Sequence, residues 1–200
     1  TALFIELLIA GLQAAIWIGL AMLTVFGTDW INLERLKGFE TILAVILLPV
    51  IYPLGVFVDF LSSRIFTRWQ KPLKRLYLKD ETQSALKLLT QTKDPFLPTY
   101  LDYSRRRIRL SRAAAFNFSL ITVFGVAFTV IRCRSLVGFP FWKAVFFEVA
   151  AGGAMTGVAV LAWNKITRLF FNMVARGFNP DRNITAEGII EEILTEKSAP

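Results

Sequence analysis

Five side chains interrupt the apolar runs of this 200-residue chain: Glu6, Gln13, Asp59, Asn117 and Glu148. An ionisable group at the centre of a membrane helix costs about 2.5–3.5 kcal/mol on insertion scales, so each of these is either partnered or functional. Glu6, Asp59 and Asn117 fall four or five residues inside the same predicted membrane boundary, where they form one polar layer with Arg109 or Arg112 as counter-charge. Such a layer is a coupling site or an ion-conducting constriction, or else a set of structural pairs near the headgroups. Glu148 falls near the opposite boundary, close in sequence to Lys143, Arg132 and Arg134. Repeated around an oligomer it would be a carboxylate ring that selects cations; within one chain it would be a salt bridge.

The second group able to do chemistry is basic. Between Arg64 and Arg112 there are thirteen Lys and Arg against Asp80, Glu81, Asp94 and Asp102, so thirteen minus four leaves +9, against +8 for the whole chain. Arg68, Lys71, Lys74 and Arg75, then Arg105, Arg106, Arg107, Arg109 and Arg112, are interleaved with Trp69, Tyr100 and Tyr103. Three anionic partners fit this pattern: lipid headgroups, which attract juxtamembrane Lys and Arg at about 1 kcal/mol each, an acidic cytoplasmic protein, and nucleic-acid phosphate. Headgroups rank first and the acidic protein second. Nucleic acid ranks last because no nucleic-acid-binding motif accompanies the charge.

Other chemistry is constrained by what the sequence lacks. Histidine is absent, which removes imidazole bases, His-dependent triads and nearly all common zinc sites. Cys133 is the lone cysteine, so there is neither an intrachain disulfide nor a thiolate cluster. With no glycine-rich phosphate loop, metal-ligand spacing or nucleophile elbow, we assign no catalytic, cofactor-binding or metal residues. An enzyme is disfavoured, an intramembrane carboxylate enzyme using Asp59 or Glu6 being the remaining variant. Asn183-Ile184-Thr185 matches a glycosylation acceptor but falls on the predicted cytoplasmic side.

Four elements must position these residues. The chain is 54% hydrophobic, and the apolar residues fall in nearly charge-free runs of the 20 or so residues that a roughly 30 Å hydrocarbon layer requires. The predicted spans are about 3–26, 39–61, 113–131 and 141–163. The first lacks a basic leader and a clear cleavage site, so it reads as a retained span, not a signal peptide. Along it Glu6, Ala10, Gln13, Trp17 and Thr24 share one face, which should meet protein or water. Gly11, Ala15 and Gly19 repeat at four-residue intervals, and Gly153 and Gly157 make a GxxxG in the fourth span, both patterns that let helices approach closely. Pro49 and Pro53 predict a kink in the second span. Ser119, Thr122 and Thr129 give the third span a polar face, lining a pore or bonding a neighbouring helix.

Fold class follows as all-α: an integral membrane four-helix bundle with a cytoplasmic helical hairpin extending from spans two and three. The domain reading is 1–63 for two spans, 64–112 for the basic extension, 113–164 for two more spans, and 165–200 for a tail. Within the extension, 64–78 continues the second span, 81–92 is a short helix, Asp94–Pro98 a break, and 99–112 runs into the third span; the tail carries an amphipathic helix near 185–196. The positive-inside rule puts the +9 segment, and hence both termini, in the cytoplasm of an inner (plasma) membrane. Trp30 and Trp142 then fall at outer ends, Trp69 and Trp163 at inner ones. The outer loops carry −1 (Asp29, Glu34, Arg35, Lys37, Glu40) and +3 (Arg132, Arg134, Lys143), the second of the wrong sign but outweighed.

A bundle of four helices holds little space for a solute path, so self-association is the natural way to build a pore or platform. The leading expectation is a homo-oligomeric sensor, effector or channel-like subunit whose basic hairpin docks a soluble partner or ligand, rotating spans two and three about Pro49–Pro53. In outline this resembles small membrane effectors of bacterial immune systems, a likeness of architecture alone. A non-conducting scaffold or accessory subunit is the alternative, and a lipid-acting enzyme the third.

Overall fold

The computed structural model describes residues 2–27, 40–78, 97–133 and 141–178, and these are helical almost throughout. The helices are α1 (Ala2–Phe26), α2 (Glu40–Tyr77), α3 (Leu97–Arg132) and α4 (Phe141–Phe178). Each is long and apolar enough to cross a membrane. The short helix expected over 81–92, the break at Asp94–Pro98 up to Phe96, the helix near 185–196, Asn183–Thr185, Trp30 and Arg134 lie outside the described residues.

Local sequence accounts for the ends. α1 stops where Gly27 adopts φ +78° and returns its N–H to the Leu23 carbonyl at 3.0 Å, the left-handed cap that favours glycine. α2 runs unbroken through Pro49, Pro53 and Pro72, so the stretch 64–77 is one helix with the second predicted span. α3 carries Pro98 in its first turn, where a missing N–H costs least. α4 is longer than expected. It continues fifteen residues beyond Trp163, through what reads from sequence as the start of a tail. Thr167, Phe170, Phe171, Val174 and Ala175 recur at three- and four-residue steps and are all buried, a helical stripe that a hydropathy window centred on the span does not register.

Two compact units emerge: Thr1–Arg64 with Arg109–Trp163, and Ile65–Ile108 with Asn164–Pro200. In the first, Ala10, Ala14, Val58 and Ala113 form a buried cluster flanked by Trp17, Leu54 and Phe116. Small side chains there let backbones meet directly. A Cβ on Gly11 would strike the Ile51 carbonyl, and one on Gly55 the Leu7 carbonyl. Pairing 7 with 55 and 11 with 51 makes α1 and α2 antiparallel. Contacts of α1 residues 10–25 with α3 residues 117–132 run in the same order, so those two are parallel. Thr122 meets Gly152 and Thr129 meets Glu148, so α3 and α4 are antiparallel. The helices alternate in direction, as successive membrane crossings must.

The second unit buries Phe66, Tyr77, Leu78, Leu101, Ile108, Phe170, Phe171, Val174 and Ala175, together with Ser104 and Thr167.

Candidate functional site

Asn117 is the most constrained polar group in the first unit. It is fully buried, and each of its amide atoms is engaged. The Trp17 indole N–H donates to its Oδ1 at 3.1 Å. Its Nδ2 donates to the Ala10 carbonyl at 3.0 Å and to Gln13 Oε1 at 3.2 Å. An indole can only donate and a carbonyl can only accept, so the two neighbours fix which way the amide points. Trp17 also stacks on Phe124, with ring centroids 5.8 Å apart. Of the α1 stripe, Ala10, Gln13, Trp17 and Thr24 all bond to α3; the face meets protein.

Asp59 belongs to a different network. Its Oδ1 accepts from Arg112 Nη2 at 2.7 Å, and Arg109 Nε lies 3.8 Å from Oδ2, which ties α2 to α3. The Arg112 side chain is only 12% exposed, so Asp59 is the charge that makes its burial tolerable. Arg112 and Asn117 are five residues apart, about 7.5 Å along α3. The layer expected of Glu6, Asp59 and Asn117 is therefore two separate networks. Glu6 is in neither: its Oε2 is buried and accepts no hydrogen bond, and Arg112 Nε is likewise buried and unbonded.

At the other end of the unit, Glu148 accepts from Thr129 Oγ1 at 3.1 Å and lies against Gly125, where a Cβ would collide with the carboxylate. Among the described residues its partner is a hydroxyl rather than Lys143 or Arg132. Arg132 has another task. Its Nε donates to the Thr24 carbonyl at 3.0 Å and its Nη2 to the Val25 carbonyl at 2.8 Å. Those carbonyls end α1 without intrahelical partners, and a cation at a helix C-terminus also complements its dipole. Part of the +3 in the loop before α4 is thus a helix cap. Sequence reading missed this pairing because it spans 107 and 108 positions with no local signal.

Ser119 and Thr122 bond within their own helix. Their hydroxyls donate to the Ala115 and Phe118 carbonyls, four residues back in α3, at 2.8 and 2.7 Å. The small residues also divide. Gly11 makes a backbone-to-backbone contact, whereas Gly19, Gly153 and Gly157 have no atom within 4 Å of where a Cβ would stand. Gly55, Gly125 and Gly152 are the other described glycines at close approaches. Ala15 is partly exposed.

In the second unit the described residues carry ten Lys and Arg and one acid, Asp102. Asp102 is bound by Arg106. Arg107 lies over the Tyr103 ring at 5.5 Å, and Arg105 is 6.0 Å from the Phe170 ring. Arg68, Lys71, Lys74 and Arg75 are left facing solvent, with Lys71, Lys74 and Arg75 lining a hollow of about 350 Å³ with Leu78. No three His, Cys, Asp or Glu side chains converge among the described residues.

No family model, curated protein or solved structure matches this chain.

Proposed function

We propose that the chain is one subunit of a homo-oligomeric inner-membrane assembly, a sensor, effector or channel-like subunit with both termini and its basic hairpin in the cytoplasm, where the hairpin receives a soluble acidic partner. One observation carries this reading: the apolar helices leave most of their surface uncovered within the chain. Buried residues make up 22, 17 and 17% of the most apolar stretches of α1 to α3 but 6% of that of α4. On α4, Trp142, Phe146 and Phe147 are each more than 70% exposed, next to the unfilled spaces at Gly153 and Gly157. Lipid covers apolar side chains as well as protein does, but close approach at small residues is what a second helix uses. Because Asn117, Gln13 and Asp59 are engaged inside the subunit, a conducting path would have to form between copies, with Glu148 near its mouth.

Mass measurement of the chain in lipid nanodiscs tests this directly. A defined oligomer is expected, and a monomer at all concentrations overturns it. Cation flux into liposomes, reduced by Glu148→Ala, then separates a channel from a platform.

The internal satisfaction of the polar groups also favours the second reading, a non-conducting scaffold or accessory subunit, for which an oligomer or co-purifying complex without flux is the expected result. The lipid-acting enzyme is weakest, since both Asp59 oxygens already face arginines.

A further inference from the structure

The basic arc on the C-terminal half of α2 carries charge that no described residue pairs with. At 100° per residue, Arg68, Lys71, Lys74 and Arg75 fall within an arc of about 120° with Leu78 at its middle. Phe66 and Tyr77, buried, occupy the opposite side of the helix. Between these faces lies a third, formed by Ile65, Trp69 and Leu76, apolar and 36–53% exposed. Lys71, Lys74, Arg75 and Leu78 line the hollow of about 350 Å³, and Lys71, Pro72, Arg75 and Leu76 line a second of about 510 Å³, so Lys71 and Arg75 border both. The one described acid of this unit is committed to Arg106, and among the described residues none pairs with Lys71, Lys74 or Arg75.

We infer that Lys71, Lys74 and Arg75 form a binding site for a phosphate monoester. Two ammonium groups and a guanidinium on adjacent turns present three cationic centres to one hollow, which suits a dianion with three terminal oxygens better than the single charge of a phosphodiester. Arginine contributes a planar fork that takes two of those oxygens, and the lysines act as point charges on the third. Ile65, Trp69 and Leu76 add an exposed apolar surface beside the arc, and basic side chains that follow a membrane span attract anionic headgroups, so a lipid headgroup is the favoured source. A soluble phosphate monoester carries the same chemistry. The inference rests on the proposed function only in placing this face in the cytoplasm.

The full chain in neutral phosphatidylcholine nanodiscs, doped in turn with phosphatidic acid (a monoester) and phosphatidylglycerol (a diester), provides the test, read by native mass spectrometry. Inorganic pyrophosphate titrated calorimetrically is the soluble arm. At about 1 kcal/mol per basic side chain, each residue accounts for roughly fivefold in affinity and the three for about a hundredfold. Retention of phosphatidic acid well above phosphatidylglycerol is expected, falling by about that factor in Lys71→Gln/Lys74→Gln/Arg75→Gln and unchanged in Lys165→Gln/Arg168→Gln. Circular dichroism and elution volume check that both variants fold. Binding of pyrophosphate that the triple variant loses, without lipid retention, supports the site and assigns it a soluble ligand. Equal retention of the two lipids, or a triple variant that binds as the parent does, overturns it. Loss of binding with an intact oligomer sinks this inference alone; a monomer that still binds sinks the proposed oligomer alone.

Discussion

Replacing Asn117 by leucine keeps the branching and heavy-atom count of the side chain, with somewhat more volume, and removes all of its hydrogen bonds. Three contacts are lost: the one from the Trp17 indole and the two made by Nδ2 to the Ala10 carbonyl and Gln13 Oε1. Interhelical hydrogen bonds between membrane helices average about 0.6 kcal/mol and reach about 1.7. Three at the average give about 2 kcal/mol, and the full burial of Asn117 pushes the cost towards the upper part of the range. Reversible unfolding in mixed detergent micelles, titrated with a denaturing detergent, reads this difference. Trp17→Phe removes the indole donor, which should cost about 0.6 kcal/mol from that bond, together with part of the stack on Phe124 and of the packing on the buried cluster. The two substitutions together should cost less than their sum by about the same amount, because the shared bond can be lost once. A loss for Asn117→Leu below about 0.5 kcal/mol, or strict additivity with Trp17→Phe, would refute the view that this amide joins α1 to α3.

Removing the carboxylate in Asp59→Asn should leave Arg112 buried without a counter-charge and lower stability by about 1–3 kcal/mol, less than for a fully buried pair because Asp59 is 27% exposed. Adding Arg112→Gln should recover part of the loss in the same unfolding assay; a double variant worse than the sum counts against the pairing. Gly11→Val and Gly55→Val should prevent α1 and α2 from closing, seen as aggregation on size-exclusion chromatography, because the obstructing atoms are backbone carbonyls that cannot step aside. Gly153→Val and Gly157→Val meet nothing inside the chain and should leave the folded subunit intact while altering the oligomer in nanodiscs. No change in oligomer would remove α4 as the assembly face. Arg132→Gln should fray the end of α1, read as faster amide exchange around Thr24 and Val25.

Much of this architecture is local and therefore legible in the residues. The four apolar runs are each about the length of a bilayer crossing, and α1 begins and ends within a residue of the expected 3–26. Helical phase placed Gln13 and Trp17 on one stripe of α1, and that stripe meets α3. The stripe could not say which helix it meets, because a face has a direction but no named partner until four helices have chosen neighbours. The reach of α4 to Phe178 was equally available, in the period of Thr167, Phe170, Phe171, Val174 and Ala175, but a mean over a span conceals a pattern that lies beyond it.

What tertiary structure alone decided is pairing. Glu6, Asp59 and Asn117 stand at similar depths in sequence, with Arg109 or Arg112 expected as counter-charge to all three; rotation about the helix axes gives those arginines to Asp59, gives Asn117 to Trp17 and Gln13, and gives Glu6 Oε2 no partner. Glycine spacing marked Gly11, Gly19, Gly153 and Gly157 alike; contact distinguishes Gly11, because of these four it alone has a carbonyl of another helix in the place of a side chain. Hydropathy and period depend on neighbours along the chain, which the sequence states outright. Partnership depends on the angles at which helices cross, and those come from all four packing at once.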